Sequence, residues 1–137
     1  MDSEIGVIGL WHLGCVIAAS WSKLGHRVHG VDFDPSRISR LQQGIPPIYE
    51  PMLEAEIKKG IASNKLSFSA EMDALRSCDY VFLAYDTPVG NDDSSDTSIL
   101  EKSVLRVREL LRDGAVLIIS SQSPVGFCAQ LRKELMM

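Results

Sequence analysis

Two glycines five positions apart, in the turn Gly9-Leu10-Trp11-His12-Leu13-Gly14, sit between a short apolar run at residues 5–9 and an apolar helical stretch at 13–24. A strand that feeds a helix through so short a turn must bend sharply and then pack the helix back against the strand. The first glycine makes the bend, and the last lets helix and strand approach closely. Strand, glycine turn and helix form the opening of a parallel β-α-β unit, and the remainder of the chain must continue that pattern.

It does. Residues 27–32 read as a second strand, and Pro35 opens a short helix at a position where a missing N–H costs nothing. Residues 45–51 hold three prolines and cannot be regular structure. Helical spacing returns at 52–61, followed by a brief strand at 66–69, a short helix at 70–76 and a strong aromatic and β-branched strand at 79–85. Residues 90–97 are polar and read as a surface loop. Leu100, Val104, Val107 and Leu111 then trace one face of a helix. Residues 115–119 form another buried strand, and Pro124 is expected to start a last helix that runs to the chain end. The order β-α-β-α-α-β-α-β-α-β-α predicts a doubly wound, mainly parallel α/β sheet of the Rossmann type, with helices on both faces.

Bulk properties narrow the function. With 137 residues the chain fits one domain, and 45% hydrophobic with 23% charged residues suits a globular protein. A net charge of -4 without any Lys/Arg run argues against a nucleic-acid partner. Asp2 and Glu4 stand where a secretory leader needs positive charge, and no apolar run reaches the length of a membrane span. Cys15, Cys78 and Cys128 are odd in number and unpaired in spacing, neither a disulfide framework nor a metal site, so a reducing cytoplasm is expected.

The turn at 9–14 is a dinucleotide fingerprint, Gly-x-Gly-x-x-Gly, with its middle glycine replaced by Trp11. Hydrogen at that position lets the backbone approach a pyrophosphate seated on the helix N-terminus. An indole there either fills the phosphate site or turns away and leaves backbone amides facing the ligand, and retained binding is the expectation. Asp32 ends the second strand 18 residues beyond Gly14, near the ~20-residue spacing of a ribose-binding acid. Its carboxylate can accept ribose hydroxyls and repels a 2′-phosphate, which points to NAD over NADP. Asp34 is the better candidate to cap the helix at Pro35. His12 belongs to the first helical turn in a neutral capping or surface role, with Leu13 packing inward, and Cys15 reads as a buried core thiol.

Four stretches resemble the UDP-glucose/GDP-mannose dehydrogenase family. Val31-Asp32-Phe33-Asp34 followed by Arg37 is similar to that family's ribose-binding strand end. Pro47-Ile48-Tyr49-Glu50-Pro51-Met52-Leu53 is similar to its PIYEPGL segment, with Met52 in place of glycine, and is the most specific of the four. Thr87-Pro88, then Asp96, resembles its TP…D stretch, where the threonine sits beside the cofactor. Ser121-Gln122-Ser123-Pro124-Val125-Gly126 falls where the family has STVPVG, with Gln122 replacing a threonine that helps hold the catalytic water. The resemblance implies oxidation of a sugar-nucleotide C6 alcohol to a carboxylate with two NAD. It places cofactor contacts at Gly9, Leu10, Trp11, His12, Leu13, Gly14, Asp32, Arg37, Thr87, Pro88, Ser121 and Gln122. The family's catalytic cysteine and its lysine, asparagine and aspartate helpers lie in later domains. No cysteine here sits in a matching motif, and no catalytic residue is carried over.

Residues 1–137 are therefore expected to be one NAD-binding domain cut off from central and C-terminal catalytic domains, since a sixth strand normally follows. The full-length protein would be a cytoplasmic homodimer acting in polysaccharide biosynthesis, with the sugar nucleotide held by the missing domains. A second reading, favoured by Trp11 and Gln122, is a non-catalytic nucleotide-binding or interaction module. A third, an oxidoreductase of the 6-phosphogluconate or hydroxyacyl type, conflicts with the proline-rich segment at 47–53.

Overall fold

The computed structural model describes residues 2–86 and 97–136. The chain order is β1 (Glu4–Ile8), α1 (His12–Lys23), β2 (Arg27–Val31), α2 (Pro35–Gln42), α3 (Leu53–Ala62), β3 (Leu66–Ser69), a 3-10 turn (Met72–Ser77), β4 (Tyr80–Leu83), α4 (Ser98–Arg108), β5 (Val116–Ile119) and α5 (Phe127–Leu135). All described strand pairs are parallel, and the five-stranded sheet runs β3-β2-β1-β4-β5. The chain winds outward from β1 to β3, then returns to the other side of β1 and winds outward again. That reversal between β1 and β4 opens a crevice at the carboxyl ends of the strands, the place where open α/β sheets bind ligands.

Strand alternation divides the core. Ile5 and Val7 of β1, Val28 of β2, and Leu66 and Phe68 of β3 pack beneath α1 and α3, where Cys15, Ala18, Ala19 and Ile57 face them. Ile8, Val31, Val81 and Leu83 point to the opposite face and meet Leu75, Leu100, Val104, Val107 and Phe127. Strands buried on both faces read as apolar runs rather than alternating patterns, which is why the sequence signal at β1 and β4 is continuous.

Most expected elements fall within one or two residues of their observed bounds, and three findings differ. Residues 72–77 form a 3-10 turn instead of an α-helix. The last helix starts at Phe127 and not at Pro124, because Gly126 adopts φ +89° and residues 124–127 form a turn in which the Pro124 carbonyl accepts the Phe127 N–H at 3.1 Å. Leu13 does not pack inward; it is 40% exposed on the outer side of α1.

The close approach of β1 and α1 rests on glycine. A Cβ at Gly14 would lie 1.7 Å from the carbonyl oxygen of Gly9, and backbone on both sides leaves nothing able to give way. Gly14→Ala is therefore expected to lower the unfolding free energy by at least about 2 kcal/mol in urea denaturation, the range of overpacked cores. A change within a few tenths of that of the parent would show that the turn has slack which this geometry lacks.

Candidate functional site

The site grows from Asp32, one residue beyond β2, whose side chain is 7% exposed. Its Oδ2 accepts the N–H of Leu10 at 2.8 Å and a guanidinium N–H of Arg37 at 3.1 Å, and its Oδ1 accepts the N–H of Asp34 at 2.9 Å. A buried carboxylate is tolerable only when paired and hydrogen-bonded, and all three donors answer that requirement. Of roughly four acceptor positions on a carboxylate, these leave room for about one further donor while Arg37 stays in place. Asp34 caps α2, accepting Ser36 N–H at 3.0 Å and Arg37 N–H at 3.2 Å. The Asp34 cap matches the sequence expectation.

The glycine turn crosses the end of β2 directly. Gly9, at φ +94°, donates its N–H to the Val31 carbonyl at 3.0 Å. Trp11 takes the N-cap position of α1 and makes no side-chain cap hydrogen bond, and the first turn holds no acidic residue. Uncapped amides with the positive end of a helix dipole form a suitable seat for an anion.

The Trp11 indole turns sideways, 39% exposed, beneath the Arg37 guanidinium at 4.8 Å from the ring centroid. A cleft of about 290 Å³ stays open beside it, lined by Gly9, Leu10, Trp11, Asp32, Arg37, Tyr85 and Asp86. Tyr85 and Asp86 follow β4 and were not singled out from sequence; their signal was position, immediately past a strong strand at the crevice. Phe33 stacks on Tyr85 at 6.5 Å, joining the ends of β2 and β4. Burial pushes the Tyr85 phenol up to about 12, so it stays protonated at neutral pH.

His12 opens α1 but does not cap it. Its ring nitrogen pairs with Glu50 at 2.5 Å, fastening the proline-rich segment to the glycine turn. Met52 in that segment adopts φ +69°, the left-handed region that glycine enters freely, and is 68% exposed. Ser121 and Gln122 lie just past β5. The Ser121 hydroxyl donates to the Leu83 carbonyl at 3.4 Å, Gln122 is exposed, and neither lines the cleft at Asp32. Thr87, Pro88 and Asp96 lie outside the described residues. Cys15 donates its thiol to the Leu10 carbonyl at 3.4 Å, and burial pushes it up to about 12, as suits an inert core thiol.

A parallel sheet wound in both directions from β1, with a glycine turn and a buried strand-end acid meeting at one cleft, defines a dinucleotide-binding α/β domain. The chain belongs to the UDP-glucose/GDP-mannose dehydrogenase family, whose NAD binding domain matches residues 3–137. It is 35% identical over 121 residues to UDP-glucose 6-dehydrogenase from Pseudomonas aeruginosa, covering 88% of this chain and 27% of that protein. Among solved structures, it superposes on UDP-D-ManNAc dehydrogenase from Pyrococcus horikoshii with a TM-score of 0.91 and 28% identity, covering 96% of this chain and 31% of the other. A ternary complex of GDP-mannose dehydrogenase from Pseudomonas aeruginosa gives a TM-score of 0.89 at 27% identity, with 96% and 31% coverage. The chain thus spans less than a third of these relatives' lengths.

The left-handed backbone at Met52 also explains why the PIYEPGL segment carries glycine there. Met52→Gly is expected to raise stability by about 1 kcal/mol in thermal or urea unfolding, since a left-handed L-residue is strained and little apolar contact is lost. A destabilised variant would mean that the Met52 side chain contributes packing which its exposure denies.

Proposed function

We propose that the cleft at the carboxyl ends of β1, β2 and β4 holds the adenosine and pyrophosphate of NAD, and that the chain is the coenzyme domain of a nucleotide-sugar 6-dehydrogenase. The observation that carries this reading is the buried Asp32 carboxylate at the mouth of the cleft, beside uncapped α1 amides. The residues fit the cofactor. Gly9 and Gly14 keep the turn tight, Asp32 offers a ribose hydroxyl an acceptor, and the amides at Trp11, His12 and Leu13 face the phosphate seat.

Bound NAD would supply the hydride acceptor for an alcohol oxidation. The chain's own part is to bind and orient it: Asp32 and Arg37 at the ribose, the 9–14 turn at the pyrophosphate. Thr87 and Pro88, with Ser121 and Gln122 at the β5 end, enter on the family resemblance. No residue here is assigned to the chemical step. In the full-length protein, central and C-terminal domains would hold a UDP- or GDP-sugar, complete a homodimer and carry out the two-step oxidation to the uronate for polysaccharide biosynthesis. All three cysteines are free, which suits the reducing cytoplasm. Membership of an NAD binding domain family favours this reading over a non-catalytic module.

Calorimetric titration of the 137-residue chain with NAD is expected to show one saturable site, weakened at least about ten-fold by Asp32→Ala, the size of a lost charged hydrogen bond. NAD binding that is indifferent to Asp32→Ala would place the cofactor elsewhere and overturn the assignment of the cleft.

A further inference from the structure

We infer that Trp11 determines cofactor selectivity: by carrying the Arg37 guanidinium on its indole it holds Arg37 against Asp32 and keeps it from receiving a ribose 2′-phosphate. The inference rests on the reading that Asp32 faces the adenosine ribose.

An acid at a strand end discriminates against NADP by repelling the 2′-phosphate, but here that charge is half spent. Arg37 lies 3.1 Å from Asp32 Oδ2, so the pair presents little net negative charge to an incoming phosphate. On the far side of Trp11 a second cleft of about 220 Å³ is lined by Ser36, Arg37 and Arg40, with Asp34 as its lone acid. Two arginines beside a ribose site are the equipment of a phosphate-accepting pocket, since a guanidinium binds phosphate through two parallel hydrogen bonds. On charge alone this chain would be poorly protected against NADP.

Protection comes instead from how Arg37 is held. One terminal nitrogen donates to Asp32, the other lies 4.0 Å from Asp34 Oδ2, and the flat face rests on the Trp11 ring at 4.8 Å from its centroid. Stacked on the indole and hydrogen-bonded to Asp32, the guanidinium is held in one plane with one edge committed to the carboxylate, and swinging that edge toward a phosphate would break both contacts. An arginine side chain otherwise carries much rotamer freedom, and the indole removes it at the one point where freedom would admit a second ligand. The replaced glycine is thus exchanged for a clamp on the neighbouring side chain. With the ring 39% exposed and lying along the cleft wall, its truncation removes the clamp and leaves the core in place.

The test is a set of calorimetric titrations of the 137-residue chain with NAD and with NADP, for the parent and the variants Trp11→Ala, Trp11→Phe, Arg37→Ala and Trp11→Ala/Arg37→Ala. The expected result is an NAD-over-NADP affinity ratio that falls about five-fold or more in Trp11→Ala, the scale of one lost cation–π contact. Trp11→Phe, which keeps an aromatic face, should retain most of the ratio, and the Trp11→Ala effect should vanish once Arg37 is absent. If Trp11→Ala changes both affinities by the same factor, the indole is a simple obstruction and the inference is overturned while the ribose reading stands. A ratio shift that persists without Arg37 overturns it equally. Binding of neither cofactor by the parent or any variant would overturn the reading of the cleft, and this inference with it.

Discussion

The carboxylate of Asp32 is the constraint on which the rest of the site depends. It is buried at the junction of β2 with the turn that leaves β1, and it accepts hydrogen bonds from Leu10, Asp34 and Arg37. These three donors come from the glycine turn, the N-cap of α2 and the helix itself, so one charge fixes three segments. An ionised group in that position survives burial only because its donors are in place, which couples the local fold to the geometry of the cleft. The residue that shapes the turn is the same one that faces the open crevice.

Everything nearby adapts to that junction. Gly14 must lack a side chain because the Gly9 carbonyl fills the space, and Gly9 must take a positive φ to bring its own amide to Val31. The glycine at the middle of the fingerprint is not under the same steric demand. There the chain accommodates Trp11 by laying the indole along Arg37, outside the backbone contacts that close the turn. The proline-rich segment, which has no regular structure of its own before α3, is anchored to the same place by the His12–Glu50 pair.

The fold was legible because parallel strands buried on both faces leave apolar runs, and because the helices between them are punctuated by Pro35 and the 45–51 prolines. Asp34 could be assigned the N-cap of α2 and Asp32 the end of β2, since both positions are set by local spacing. Side-chain direction was less accessible. Leu13 carries an apolar side chain at the first turn, yet only the three-dimensional position of α1 decides that this side faces outward. The start of α5 depends on the left-handed backbone at Gly126, which a proline two residues earlier masks. The Trp11–Arg37 stack, the His12–Glu50 pair and the place of Tyr85 in the cleft join residues distant in sequence, and no periodicity announces such contacts.

Function follows from the meeting of these features at the switch point of the sheet, and the family membership gives that meeting its chemical sense. The central claim is tested most directly by an amide NMR titration of the chain with NAD. The largest shifts are expected on Gly9 to Leu13, Asp32 to Arg37, and Tyr85 and Asp86. Shifts concentrated instead at the opposite end of the sheet, around Trp21, His26 and Ile118, would contradict that claim.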